Sequence, residues 1–526
     1  MKPFRRSKQT VRRPSKAVAV VARRCDGLGR PSYAAHSSRE GKVLLFLAVS
    51  LPMLFGMLGL VVDGGLLMKE HRGLQTAADA AATTAARQIS LGKSLSAATQ
   101  AAVELVHEHN ALPDATVTVN RPPSTGPFAG KPDYVEVIVS RAVESNFIQV
   151  VSGGTTKTVQ ARAVAGIENA TSGGVLVVLD PDPSPVNVSG LPAGIPALGL
   201  PALHLGGLEL LGLGQLRVQG AVFVNTEWGG QDENGDPAGE EPPLGGSRHA
   251  ITCTPILPLT RLLAEDIRVT GGVDNPANYG NVQSGESSPL KANKPAVLDP
   301  LRNLPAPTVA ADPFNVSATE RGTVNIVSLP LLAPPVTLQP GVYESITIVT
   351  GTVIFQPGVY IIRNKNPLTG ISLSIVAGRV TANGVMFYIT DSAAYTPADG
   401  LPDANDGATV PAAPGVPSLI PSVVINAGLL GSTYSGLSSA SSPFDGMLVY
   451  QRRTDRRPIA IVAEQLLGGT AMSGTVYAKW GQLLFVGHGT YDMKFAVGTA
   501  RIVNALSCTF APTTLFPPVR EVFLVE

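Results

Sequence analysis

One stretch of the chain lacks polar alternation altogether. Residues 43–62 read VLLFLAVSLPMLFGMLGLVV, twenty positions without a charge. At about 1.5 Å rise per residue, a helix of that length spans the roughly 30 Å hydrocarbon layer of a bilayer. A helix apolar on all sides is uncommon in the core of a soluble domain. A cleaved signal would be shorter and end in a small-x-small site, whereas Asp63-Gly64-Gly65-Leu66-Leu67 comes next here. The pattern therefore predicts a transmembrane helix from Val43 to Val62, with Pro52 tolerated inside it and Asp63 at its exit. The strong helix formers Ala, Leu, Gln and Arg then predict that the helix continues as a stalk over 63–90.

Beyond the stalk the period changes. An Ala/Val/Leu face recurs at helical spacing over 95–109, and β-branched residues alternate or cluster at 116–119, 134–139 and 159–164, with a short helix expected at 147–151. These make a small α/β unit over 91–168, bounded by Thr171-Ser172-Gly173-Gly174. From 172 to 526 the chain reads as short strands punctuated by Gly, Pro and Asn. LQPGVYESITIV, starting at Leu338, returns seventeen residues later as FQPGVYIIRNKN at Phe355. A coil of short parallel strands needs such spacing, because each rung buries its inward residues against its neighbours. The expected fold is mainly β: a transmembrane helix and small α/β unit, then a β-helix-like ectodomain, with an antiparallel β-sandwich as the alternative.

Composition agrees, with charged residues at only 15% while Gly (55) and Pro (44) are abundant, which suits tight turns between strands. The net charge of +1 hides an asymmetry. Residues 1–42 carry twelve Lys or Arg against Asp26 and Glu40, which leaves −9 for the rest. Beside a membrane span, this tail reads as a topology determinant against anionic headgroups and not as a nucleic-acid arm. It predicts a single-pass membrane protein with a cytoplasmic N-terminus and an exported C-terminal domain. Of the three cysteines, Cys25 lies in the tail, and Cys253 and Cys508 could either pair in an oxidising compartment or stay as buried thiols.

Residues 61–86, VVDGGLLMKEHRGLQTAADAAATTAA, carry an acidic residue at the membrane exit, a Lys/Glu/Arg turn, then Leu-Gln and an Ala-rich helix. With Gly41 at the entry and the Leu51-Pro52 step, this segment resembles the N-terminus of TadG-like Flp pilus-assembly proteins. The resemblance implies an unprocessed anchor, since Phe46 stands where a related pseudopilin would carry Glu, and it implies pilus components as partners. Leu74, Gln75, Ala77, Ala78, Asp79, Ala81, Ala82 and Ala85 form the stripe expected to meet another helix, because small side chains permit close approach.

Candidate chemistry is sparse. The stretch VLVVLDPDPS at 175–184 resembles the strand and acidic loop of the metal-adhesion site in von Willebrand A domains. Asp182 replaces the first Ser, however, and Pro181, Pro183 and Pro185 stiffen the loop, so no metal is expected at Asp180. Acid clusters occur at Asp232, Glu233, Asp236, Glu240 and Glu241, and at Asp399, Asp403 and Asp406. The first opens like a calcium loop but has Pro237 and Pro243 at the turning and bidentate positions, and reads as solvated. Arg452, Arg453, Arg456 and Arg457 around Asp455 read as a solvated basic tip. There is no G-x-S-x-G elbow and no phosphate loop. The expectation is a structural or interaction protein with no catalytic residues, metal or cofactor. It would contact the cytoplasmic membrane, pilus components and peptidoglycan or surface glycans. The competing classes are a membrane-tethered polysaccharide lyase or hydrolase, and a surface adhesin.

Overall fold

The computed structural model describes residues 40–144, 147, 155–183, 186–188, 203–204, 206–241, 249–255, 260–329, 333–405, 418–426, 431–464, 471–504 and 507–525. The basic tail with Cys25, residues 148–151 of the expected short helix, and Asp406 lie outside them. The protein is mainly β, with one long apolar helix and a large parallel sheet, and divides into two compact units.

The first unit holds the chain up to Thr76, Asp114–Thr116 and Ser140–Ala161. Helix α1 (Glu40–Ser90) begins in it and contains Pro52. Among the described residues it is the one helix long and apolar enough to cross a membrane. Its apolar side chains from Val43 to Val62 are largely uncovered, Phe46 at 77% exposure. Left bare in water, a surface of this size would be strongly unfavourable.

The second unit holds Ala77–Pro113, Val117–Val139 and Arg162–Glu526. Here α1 ends as helices commonly do, on a glycine in the left-handed region. Gly92 (φ +77°) donates to the Ile89 carbonyl at 2.9 Å, and Lys93 donates to that of Gln88 at 3.1 Å. Ser94 then caps α2 (Leu95–Glu104) by accepting from the Ala97 N–H. Strands β1 (Thr116–Asn120), β2 (Tyr134–Glu144) and β3 (Thr156–Asn169) form a sheet completed by Arg520–Leu524, which pairs antiparallel with β3. The α/β element read from 91–168 thus takes its fourth strand from the far end of the chain.

Among the described residues the large sheet has nineteen strands, and its pairings are parallel where an antiparallel sandwich would alternate. Its register builds aliphatic columns. Ile326, Ile348, Ile375, Ile425, Ile461 and Phe485 stand in succession on five neighbouring pairings. Leu338, Phe355, Ala382, Tyr434 and Met472 form a second column. Each contact buries β-branched or aromatic surface against the next rung, which stabilises a parallel stack.

The chain order of the stack is not monotonic. Gly174–Val178 pairs with both the long strand Ala471–Asn504 and Gln215–Val224. Leu208–Gly212 and Cys508–Phe510 likewise join early strands to late ones. The chain therefore enters the stack in its middle and runs outward to Leu290–Lys291. It restarts at Glu320–Val327 and winds back to meet its own beginning. One continuous core runs from Val175 to Phe510 across this seam. The seam carries a buried ion pair, Arg501 donating to Glu209 at 2.6 and 2.8 Å, with Glu209 also accepting from the Gly206 N–H.

The QPGVY repeat encodes a corner. Gly341 (φ +152°) and Gly358 (φ +135°) take a backbone conformation that side chains disfavour. One residue on, Val342 and Val359 are buried in a second cluster that includes Ala306 and Val316, while the next residue, Tyr, turns into the continuous core and its hydroxyl reaches back to the Gln carbonyl. Tyr343 donates to Gln339 at 2.5 Å and Tyr360 to Gln356 at 2.9 Å. The two rings stack at 5.8 Å.

Candidate functional site

At the helix exit in the first unit, Asp63 is 1% exposed and accepts a 2.7 Å hydrogen bond from the Phe147 N–H. Seven residues on, Glu70 accepts from Arg141 at 2.6 Å, and the same guanidinium reaches Asp114 at 2.8 Å. The sequence reading placed Asp63 at the exit but missed Phe147 and the Glu70–Arg141 pair, since nothing periodic links a helix to residues 71 and 84 positions later. Pro52, Val43 and Val62 lie on α1 as expected.

Leu74, Ala77, Ala78, Ala81, Ala82 and Ala85 have no exposed surface, whereas Gln75 and Asp79 are partly exposed. The close approach that small residues permit is used within this chain, so the stripe is not a free face for a second protein as the sequence reading expected. The physical reason is that α1 is packed by its own chain from Leu74 onward.

In the second unit, residues 292–319 cross the stack between its two outer ends as a strap. Asn225 holds the strap reciprocally, its side chain donating to the Val297 carbonyl and accepting from the Val297 N–H, both at 2.7 Å. Tyr477 donates to Asp299 at 2.7 Å, Tyr395 donates to the Pro307 carbonyl, and Ser442 donates to Asp312 at 2.5 Å. Arg453 is the centre of this arrangement. Its guanidinium donates to the carbonyls of Leu304 (2.7 Å), Leu301 (3.1 Å) and Arg302 (3.3 Å) and to the Tyr477 hydroxyl (3.0 Å). It also lies over the rings of Tyr450 and Tyr477.

The basic segment is therefore not the solvated tip that its charge suggested. Arg457 forks onto Asp455 with a shortest contact of 2.7 Å, Arg452 pairs with Asp403 at 3.0 Å, and Arg456 lies 3.8 Å from Asp180. Burial pushes the Asp180 carboxyl up to about 6, an effect that Arg456 and the Asp182 N–H offset only in part. Asp182 accepts from the Trp228 indole at 3.0 Å. Both carboxylates of the DPDPS loop thus face protein donors.

The two acid clusters part company. Asp232 accepts from the N–H groups of Asn234 and Asp236 in an exposed turn, and Glu233 accepts from that of Ala292. Asp403, by contrast, is buried and accepts a 2.5 Å bond from Tyr388. Among the described residues, no three His, Cys, Asp or Glu are grouped to hold a metal ion. Cys253 and Cys508 are both free and buried; burial pushes the Cys508 thiol up to about 12, and that of Cys253 further. Glu136, buried in the small sheet, experiences an upward push from burial. Hydrogen bonds from Ser124, Asn120 and Arg162 outweigh it and hold the carboxyl at about 2.

One concavity of about 370 Å³ opens at the strap. Val177, Phe223 and Phe516 form an apolar floor, Arg87, Arg302 and Arg520 stand at its rim, and no carboxylate lines it. The three arginines are exposed. The sequence offered no signal for this grouping, because the three lie on α1, the strap and the C-terminal strand.

No curated protein and no solved structure matches this chain. A family model, the putative Flp pilus-assembly TadE/G-like family, matches residues 41–88. Those residues cover the exposed apolar part of α1, Asp63 and the buried Ala stripe. Residues 41–88 thus match the TadE/G-like Flp pilus-assembly family, in a chain whose remaining length that family model does not cover.

Proposed function

We propose that this protein is a membrane-anchored, non-catalytic component of Tad/Flp-type pilus assembly that presents an exported β-domain to the cell envelope. The observation that carries the reading is the family match over 41–88, which falls on a helix with an uncovered apolar run. The twelve Lys and Arg of residues 1–42 favour a cytoplasmic N-terminus and export of residues 63–526. In this reading the parallel stack is a β-helix-like coil, supported by the column register, and it serves as a rigid spacer and contact surface. The carboxylates Asp180, Asp182 and Asp403 are engaged by arginine, indole or phenol groups, which supports a structural and not a catalytic use. The rim of Arg87, Arg302 and Arg520 supports an anionic envelope partner, such as the acidic groups of peptidoglycan or a surface glycan.

Co-purification of the tagged full chain from detergent-solubilised membranes, with partners identified by mass spectrometry, tests the proposal. Recovery of Flp pilins, secretin or platform proteins is the expected result. Abundant, folded protein without any of them overturns the pilus role and makes glycan-degradation assays the next step.

A further inference from the structure

We infer that Phe147, between β2 and β3, is a second membrane contact, its ring seated in the lipid interface against the membrane helix. The inference rests on the reading of residues 43–62 as a span. Gly59 lies three positions inside that run, about 4.5 Å along the axis from Val62. A Cβ added at Gly59 would meet the Phe147 ring at 2.5 Å, so the ring lies directly on the helix backbone at that level.

Two fixed points aim the chain there. Arg141 is tied to Glu70, and six residues later the Phe147 N–H is tied to Asp63, so β2 is led down α1 toward the apolar run as it ends. A backbone donor on the buried Asp63 also satisfies a carboxylate at the edge of an apolar medium, where an unpaired one would be costly. The outer side of Phe147 remains 48% exposed, beside Phe55, Leu58 and Leu60, each more than half exposed. A ring lying among uncovered apolar side chains at one depth of a spanning helix shares their medium, which is acyl chain. Aromatic residues at this level anchor a protein against vertical movement.

The test uses the full chain reconstituted in phosphatidylcholine vesicles whose lipids carry bromine in the upper acyl chain, with Phe147→Trp as reporter. The native Trp228 and Trp480 are 3% and 8% exposed and supply a shielded baseline. Flotation with the vesicles, and loss of roughly half or more of the added emission relative to unbrominated lipid, is the expected result at interface depth. Adding Gly59→Val to the reporter should reduce that quenching, because its branched side chain displaces the ring. Benzoylphenylalanine at 147, which should crosslink to lipid, provides an independent reading if the Trp variant fails to fold. Flotation with emission quenched only by aqueous iodide overturns this inference and leaves the anchor intact. Failure of the wild-type chain to float overturns the anchor itself, and this inference with it.

Discussion

Replacing Arg453 by Ala removes the guanidinium that joins three strap carbonyls to Tyr450 and Tyr477. Three carbonyls and the Tyr477 hydroxyl lose a charged donor, and the faces of Tyr450 and Tyr477 lose a cation. Hydrogen bonds to charged groups contribute about 1.5–3 kcal/mol, and carbonyls left without a donor add their own desolvation cost. Water reaching the partly exposed site returns some of this. The net loss should be about 3–5 kcal/mol, which at this chain length is a fall of roughly 3–5 °C in Tm. Arg453→Lys keeps the charge but lacks the planar fork, and should recover about half of the loss. Thermal melting of the detergent-solubilised full chain reads the first quantity. Trypsin cleavage after Arg302, exposed on the strap, reads the local one. Melting of Arg453→Ala within about 1 °C of the wild type, with Arg302 cut no faster, would refute the role given to this guanidinium.

Glu209→Ala leaves Arg501 buried and uncompensated at the seam, and should cost about 3–5 kcal/mol by denaturant melting, with Glu209→Gln intermediate. A double mutant with Arg501→Met that is no more stable than Glu209→Ala alone would contradict the pairing argument. Asp180 binds its proton more tightly folded (about 6) than at its ordinary value of 3.8, so its contribution is full below about pH 4 and is lost as pH rises through 6. The difference in Tm between the wild type and Asp180→Asn should therefore move against the wild type across that window, by an equivalent of about 3 kcal/mol; a flat difference refutes it. Gly358→Ala should destabilise by about 1–3 kcal/mol, because φ +135° strains any side chain and the added Cβ meets Pro340 at 2.6 Å. Circular dichroism melts showing no change would remove the corner role of the repeat.

The legible parts of the chain were those that repeat. Twenty uncharged residues announce a helix long and apolar enough to span regardless of their neighbours, and the return of QPGVY announces short strands at a regular spacing. The order of the stack could not be read, since the columns tell which residues face inward but not which rung lies on which. Strands at 174–224 join those at 471–510 because complementary edges meet in space, and no local pattern records that. The arginines misled for a related reason. A charge run is ordinarily solvated, yet arginine can bury its stem and fork to carbonyls supplied by a segment 150 residues earlier. The small residues of the Ala stripe do not say whether what packs on them belongs to the same chain.

Segment replacement tests whether residues 41–88 commit this protein to pilus assembly. Substituting only residues 43–62 with an unrelated apolar helix, and separately replacing 41–88 as a whole, gives two full-length chains to compare for pilus production at equal membrane abundance. Replacing the whole segment is expected to abolish piliation while the protein still sediments with membranes. Wild-type piliation by that chain would contradict the assignment.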